Sequence, residues 1–112
     1  MTMAREWQVA WSSLEKLGAS ITVVNRGEPL GEWLLVSLSG TDATDEVLPQ
    51  IKNLTALNLK VLDLGGTQVT DSGVEDLASL ERLWKLRLTG TRVSNEGVRR
   101  LKQALPNCEI SK

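Results

Sequence analysis

The sequence contains no histidine, no phenylalanine and no tyrosine, and it has a single cysteine, Cys108. A catalytic triad built on histidine, a zinc site with histidine and cysteine ligands, and an internal disulfide are therefore all excluded. A nucleophilic role for Cys108 is not expected either, because no histidine is present to act as its base. We accordingly predict no catalytic residue, no metal ligand and no cofactor, and we do not expect the protein to be an enzyme.

Long apolar runs and an excess of charge of one sign are also missing. No segment approaches the roughly 18 consecutive apolar residues that a helix needs to cross a bilayer. The opening segment MTMAREWQVAW has neither a basic start nor a continuous apolar stretch, so no signal peptide is expected. The chain has 13 Lys and Arg residues against 14 Asp and Glu. These absences predict no membrane insertion, no nucleic-acid binding and, by default, a cytoplasmic location.

What the sequence does contain is a repeat. The segment LDLGGTQVTDSGVEDLASL at 62–80 returns as LRLTGTRVSNEGVRRLKQAL at 86–105, and a weaker copy begins at Trp33. A length of 112 residues is enough for one domain. We predict that this domain consists of an N-terminal segment, three repeats and a C-terminal partial strand, over residues 1–32, 33–58, 59–82, 83–106 and 107–112 respectively.

The hydrophobic period changes within each copy. Alternation of the kind seen at Leu62 and Leu64 predicts a short strand with one buried face. A spacing of three or four residues, as between Val74 and Leu77, then predicts a short helix with one apolar stripe. Each copy is thus expected to run from strand through turn to helix.

Turn and cap residues separate the predicted strand from the predicted helix. A glycine follows each strand, where the chain must turn sharply, at Gly40, Gly66 and Gly90. A Thr or Ser comes before each helix and is followed by Asp45, Asp71 or Asn95. The oxygens of these side chains are expected to accept hydrogen bonds from the free amides of the first helical turn.

The pattern LxxLxLxGTxVTDxGVxxLxxL resembles the leucine-rich repeat. It is most similar to the bacterial "SGT-VTDAGL" type, abundant in planctomycete proteins and related to the cysteine-containing repeats of F-box-type receptors. The residues that carry the resemblance are Leu59, Leu62, Leu64, Gly66, Thr67 and Val69, then Leu83, Leu86, Leu88, Gly90, Thr91 and Val93, and more weakly Trp33, Val36, Leu38, Gly40, Thr41 and Ala43.

This resemblance implies an α/β fold in the form of a short solenoid, with a parallel sheet on the concave face and helices on the convex face. It implies recognition of proteins and nothing narrower. Thr41, Thr67 and Thr91 stand where the family usually has Asn or Cys after the strand. We expect their hydroxyl groups to hold neighbouring loop backbone in the same way.

The first 32 residues are expected to cover the open end of the repeats, since a solenoid exposes its core at both ends. A helix is predicted from about residue 3 to 17, ended by Gly18, followed by a strand at about 20–24 and a turn. Met3, Trp7, Trp11, Leu14 and Leu17 fall on one face of that helix. We interpret it as an N-terminal cap in which Trp7 and Trp11 cover the first repeat, with a docking helix for a partner as the alternative.

In parallel strands held in register, the residues between the buried positions line the concave face. They differ between copies, so they are the first place to look for a partner site. The predicted partner-binding residues are Leu35, Ser37, Val61, Asp63, Trp84, Lys85 and Arg87. Ser39, Gly65 and Thr89 continue the same rows, and Leu34 and Lys60 flank them beside Trp84.

Two relationships on this face are predicted more specifically. Asp63 and Arg87 occupy equivalent positions on adjacent strands, so we expect a cross-strand ion pair. For Trp84 two interpretations stay open, an anchor for a partner or a ring that packs over the edge of the neighbouring repeat.

The helices carry charges that suggest contacts between repeats. Glu75 and Asp76 align with Arg99 and Arg100, so we expect ion pairs between those two helices. The basic run RRLK at 99–102 has acidic neighbours that offset it. The sequence therefore favours a non-catalytic protein interaction module, expected to be a monomer, that binds an unidentified protein through its concave face. The alternative is an assembly unit that acts by self-association or within a larger complex.

Overall fold

The structure is a computed structural model that describes residues 2–25, 27 and 31–112, with the side chains of residues 2–7 and 56 outside the described part. The expectations for the side chains of Met3 and Trp7 therefore lie outside the described residues. In chain order the elements are α1 (Thr2–Lys16), β1 (Ser20–Asn25), β2 (Glu32–Ser37), α2 (Leu48–Lys52), β3 (Leu59–Asp63), α3 (Val74–Ala78), β4 (Lys85–Arg87), α4 (Asn95–Ala104) and β5 (Glu109–Ser111). Three single 3₁₀ turns precede or follow the short helices, at Asp45–Val47, Thr55–Leu57 and Asp71–Gly73.

The five strands form one sheet in the order β1-β2-β3-β4-β5, on a mixed α/β plan. Strands β2 to β5 are parallel, and Leu86 pairs with Leu62 on one side and with Ile110 on the other. This is the register that the 24-residue offset predicts. Strand β1, whose direction the sequence does not predict, pairs antiparallel with β2. Residues 26–31 alone join these two strands, and a parallel connection needs a crossover of a dozen residues or more.

The core lies between the sheet and the helices. Leucines from the strands, such as Leu64 and Leu88, and from the helices, such as Leu77 and Leu101, are fully buried. Helix α1 contributes Leu14, also fully buried. The expectation that Leu17 joins this face is wrong, because the helix ends at Lys16 and Leu17 is 46% exposed in the turn that follows.

The start of β2 departs from the predicted register. Leu34 pairs with Leu59, but Leu35 pairs with Val61, so the pairing shifts by one residue between Leu34 and Leu35. Leu34 is 3% exposed and takes the buried position that the repeat pattern gives to Trp33. The surface position expected for Leu34 is therefore wrong, and Trp33 does not take the leucine position with which the repeat pattern aligns it. The irregular pairing buries the aliphatic side chain and leaves the larger indole half-buried.

The loops after the strands follow one plan in each repeat. The turn glycines have left-handed backbone, for example φ 75° at Gly40 and 72° at Gly66, which glycine adopts without strain. The hydroxyl groups of Thr41, Thr67 and Thr91 each donate to the carbonyl three residues earlier, at 2.7–2.8 Å. Each hydroxyl thus holds the backbone of its own loop. Neighbouring loops are joined by backbone hydrogen bonds instead, such as Gly40 N–H to the Gly65 carbonyl at 2.9 Å.

The helix caps differ from the expectation for the acidic residues. The residue before each Asp or Asn is the cap, and Thr70, for example, accepts a hydrogen bond from Ser72 N–H. Asp45 instead points to the next repeat. Its Oδ1 accepts from Thr70 N–H at 2.9 Å, and its Oδ2 accepts from the Thr70 hydroxyl at 2.6 Å.

The ion pairs of the helices also differ from the expectation. Asp76 lies 3.7 Å from Nζ of Lys52 on the preceding helix, and Arg99 pairs at 3.1 Å with Glu96 in its own helix. Among the residues that the structure describes, no ion pair joins α3 to α4. The predicted pairs of Glu75 and Asp76 with Arg99 and Arg100 are therefore wrong. A partner three residues away in the same helix lies within reach of Arg99 without any requirement on helix register.

Candidate functional site

The face of the sheet opposite the helices carries two rows of side chains, one residue from each strand. The strand pairing gives the first row as Thr22, Leu35, Val61, Lys85 and Glu109, and the second as Ser20, Ser37, Asp63, Arg87 and Ser111. Six of the predicted site residues thus lie in two adjacent rows. Sequence reasoning missed the residues of β1 and β5. The offset that places Ile110 beside Leu86 could have found Glu109 and Ser111.

An ion pair crosses the middle of the second row. Nη1 of Arg87 lies 3.1 Å from Oδ1 and 3.2 Å from Oδ2 of Asp63, which confirms the predicted cross-strand pair. Asp63 also accepts a hydrogen bond from Gly65 N–H at 2.8 Å. A Cβ at position 65 would overlap the Arg87 guanidinium, so glycine here makes room for the pair. Gly65 is therefore buried beneath the arginine instead of forming part of the exposed row.

A second ion pair lies at the edge of the first row. Nζ of Lys85 is 3.5 Å from a carboxylate oxygen of Glu109, and both side chains are more than half exposed. These two pairs neutralise the charges of four side chains and leave Leu35 and Val61 as the apolar centre of the face. A shallow recess of about 250 Å³ lies between Val61 and the two pairs.

Trp84 lies at the strand starts, at one end of these rows. Its ring is tilted 60° against that of Trp33, with 5.4 Å between the ring centroids. Nζ of Lys60 is 5.2 Å from the centroid of the Trp84 ring and donates to the Arg82 carbonyl at 3.2 Å. Trp84 nevertheless stays 51% exposed. The ring therefore packs on its neighbours and still presents half of its surface to solvent.

A wider groove continues from this aromatic pair toward the N-terminal helix. It has a volume of about 620 Å³ and lies between α1 and the start of β2. Its lining includes Trp11, Val23, Trp33 and Leu57. Sequence reasoning aligned Trp33 with the first leucine of the repeat and so missed this groove. The signal was a tryptophan where the pattern has leucine, since so large a ring does not fit that position.

The chemistry of the described side chains favours binding. Burial, and then the neighbouring Glu109, raise the pKa of the Cys108 thiol, which disfavours the thiolate that would act as nucleophile. In the part of the chain that the structure describes, no group of three or more Cys, Asp or Glu residues could hold a metal ion. Among the same residues, no helix has the length and apolar character that a membrane crossing requires.

A known protein family matches part of this chain. The sequence model of a leucine rich repeat family matches residues 52–78, which run from the end of α2 through β3 to α3. No curated protein matches the chain. Leucine-rich repeat domains commonly mediate protein–protein interaction and are generally not enzymes. The match and the mixed α/β fold together support a leucine-rich repeat protein.

Proposed function

We propose that this protein is a non-catalytic interaction module that binds a protein partner through the concave face of its sheet. The observation that carries the proposal is Trp84, which is half exposed although Trp33 and Lys60 pack against it. Tryptophan and arginine are the side chains most often found at the energetic centre of protein interfaces. The binding face comprises Leu35, Ser37, Val61, Asp63, Trp84, Lys85 and Arg87, with Glu109 and Ser111 added from β5.

The proposal includes an architecture. Residues 33–58, 59–82 and 83–106 form three turns of a solenoid of the bacterial "SGT-VTDAGL" type, and residues 107–112 add a partial strand. Residues 1–32 form an N-terminal cap. Three features support it, namely the parallel pairing from β2 to β5, the repeated loop geometry and the packing of Leu14 and Ala10 in the core.

A partner that covers Trp84 would lose little binding free energy to the ordering of this side chain. Its ring is already held by two neighbours, so binding restricts few additional rotamers. Cation–π contact with Lys60 contributes about 0.5–1 kcal/mol at an exposed site. The ion pairs Asp63–Arg87 and Lys85–Glu109 hold their side chains across the strands, so the face is partly ordered before binding. A sheet of five short strands offers a small area, so we expect moderate affinity.

The proposed module is defined as well by the functions that we exclude from it. It acts as a monomer in the cytoplasm, without membrane insertion, nucleic-acid binding or a cofactor. Self-association through a defined surface is the competing function, and a measurement of mass in solution separates the two. A monomer at working concentration is expected here, whereas a stable oligomer that the concave-face substitutions abolish would favour assembly.

The experiment is affinity capture from a lysate of the source cells with three forms of the protein. They are the wild type, a concave variant (Trp84→Ala, Lys85→Ala, Arg87→Ala) and a convex control (Glu75→Ala, Arg100→Ala, Gln103→Ala). Matching unfolding temperatures for all three forms are a precondition. We expect a partner that the wild type and the convex control retain and the concave variant loses. A partner that all three forms retain equally would contradict the proposal.

A further inference from the structure

The charges of this protein are separated along the chain. Six of its 13 Lys and Arg residues lie between residues 83 and 106, where Glu96 is the only acidic residue. Residues 1–82 carry most of the acids, so the last repeat is strongly basic within a chain of formal net charge -1. Two of the six cations, Lys85 and Arg87, are paired on the concave face. Those on α4 and the loop before it are Arg92, Arg99, Arg100 and Lys102.

The basic helix α4 lies beside the β5 edge of the described sheet. Among the described strands β5 is the last, with β4 as its neighbour. Glu109 N–H donates to the Trp84 carbonyl, and the Ser111 carbonyl accepts from Leu88 N–H, so these two residues face β4. In a parallel pair the residue between them directs its N–H and C=O to the other side. The backbone of Ile110 therefore points away from β4.

A recess of about 400 Å³ lies between this edge and α4. Its apolar lining consists of Val98 and Ile110, and its rim carries Arg99, Lys102 and Lys112. Among the described side chains Lys102 and Lys112 take part in no ion pair, and Arg99 is paired only with the exposed Glu96. Within the part of the chain that the structure describes, an apolar floor, a cationic rim and backbone groups that pair with no strand thus occur together beside β5.

We infer that this end of the molecule binds an extended acidic segment of a partner protein, which adds a strand to β5. This edge adjoins the concave face of the proposed function, to which β5 contributes the side chains of Glu109 and Ser111, but it uses the backbone of β5 and the side chains of α4. Backbone hydrogen bonds to Ile110 would give the segment its alignment, because an exposed sheet edge accepts a strand in this way. Aliphatic side chains of the segment fill the recess over Val98 and Ile110, and its carboxylates face Arg99 and Lys102.

The sign of the charge decides between an acidic partner and a second copy of this chain. Lysine and arginine beside a sheet edge oppose edge-to-edge pairing of identical chains. In a symmetric dimer through β5, Arg99 and Lys102 of both copies would face each other across the edge. The same cations attract a segment of opposite charge. The charges therefore favour an acidic strand over a second copy.

The test uses a synthetic peptide, EEIEIEE, labelled with a neutral dye and titrated with the intact protein in a fluorescence anisotropy assay. A matched KKIKIKK peptide reverses the charge. A third peptide, EEIEIEE with N-methyl groups on alternate amides, keeps the charge but lacks donors along one strand edge. The variants are Arg99→Glu with Lys102→Glu, and a control, Lys16→Glu with Arg82→Glu, that makes the same change in net charge elsewhere.

We expect EEIEIEE to bind wild type and control alike, and the α4 variant to bind roughly tenfold more weakly through the loss of two ion pairs. For wild type, KKIKIKK and the N-methylated peptide should each bind at least roughly tenfold more weakly than EEIEIEE. Hydrogen exchange of the Ile110 amide should be slower in the EEIEIEE complex than in the free protein.

If the N-methylated peptide bound wild type as tightly as EEIEIEE does, the strand addition would be overturned. Equal binding to both double variants would overturn the assignment to α4. Tighter binding of a DNA duplex, or a dimer lost in the α4 variant, would replace the acidic strand by nucleic acid or by a second copy.

Discussion

Asp71 accepts two hydrogen bonds from Ser94 in the next repeat, one from its N–H at 2.8 Å and one from its hydroxyl at 2.6 Å. The same hydroxyl oxygen accepts from Gly97 N–H at 3.1 Å and so caps α4. An acidic side chain of one repeat therefore fixes the helix cap of the next. Asp45 stands in the same relationship to Thr70. We call these two contacts the aspartate links.

Substitution of Asp45 tests the aspartate links as a source of stability. Asp45→Ala removes both acceptors of Thr70 N–H and its hydroxyl, and we expect a loss of about 1–3 kcal/mol in the free energy of unfolding. Asp42→Ala is the matched control. Asp42 is exposed and lies three residues from Asp45, so this substitution removes an equal charge nearby. Urea denaturation of both variants measures the difference. If Asp45→Ala and Asp42→Ala lowered the free energy of unfolding equally, the loss would come from the charge and not from the aspartate link.

The pH dependence of stability tests the second link. Hydrogen bonds from the Ser94 hydroxyl and then from its N–H hold the pKa of Asp71 below its ordinary value of 3.8. When the pKa of a carboxyl is lower in the folded state than in the unfolded state, its ionised form stabilises the fold at any pH above the unfolded-state pKa. This stabilisation is lost as the pH falls through the folded-state pKa. Wild type should therefore unfold at a higher temperature than Asp71→Asn at neutral pH, with a gap that narrows below pH 3.8. A gap that does not change in acid would contradict this.

Gly97 tests whether the link requires a glycine in α4. An added Cβ at this position would lie 2.5 Å from Oδ1 of Asp71 and 2.9 Å from Cγ1 of Val93. In an exposed helix, alanine is favoured over glycine by about 1 kcal/mol. At this position we expect Gly97→Ala instead to lower the free energy of unfolding by about 1–3 kcal/mol. The new Cβ would push the Asp71 carboxylate away from Ser94, which caps the helix. Gln103→Ala on the exposed side of α4 is the control and should be near neutral. Thermal unfolding that shows Gly97→Ala to be stabilising would refute the close contact.

The aspartate links show where sequence reasoning reached its limit. The offset between copies correctly predicted that Val61 pairs with Lys85 and that Asp63 pairs with Arg87, since strand register follows the hydrophobic alternation. It could not show that Asp71 reaches the next repeat, because a cap within one helix and a link between two repeats need the same side chain before a helix. The distinction depends on the distance between loops, which the fold sets.

Two neighbouring leucines test the irregular start of β2. Leu34 is 3% exposed and Leu35 lies in the first row of the concave face. We expect Leu34→Ala to cost about 2–5 kcal/mol of unfolding free energy, as for other large-to-small changes in a core. Leu35→Ala should cost less than half as much. Guanidinium denaturation of both variants measures these losses, and a larger loss for Leu35→Ala would mean that the pairing does not shift.

The sequence predicts the N-terminal segment less completely than the repeats. Hydrophobic alternation in Ser20–Asn25 predicts a strand but not its direction, which the short connection to β2 decides. Leu17 has the helical spacing of a core residue, yet the helix stops one residue earlier. The groove beside Trp33 lies where the strand pairing shifts. Each of these features depends on how segments meet, and periodicity within one segment does not contain that information.

Photo-crosslinking within the source cells tests the central proposal most directly. A benzophenone amino acid replaces Val61, in the first row of the concave face, or Glu75, an exposed residue of α3 on the convex side, in two otherwise identical proteins. We predict that light produces a covalent adduct with a discrete partner from position 61, that Trp84→Ala reduces its yield, and that position 75 gives none. Adducts from position 75 alone, or a position 61 adduct that Trp84→Ala leaves unchanged, would contradict binding through the concave face.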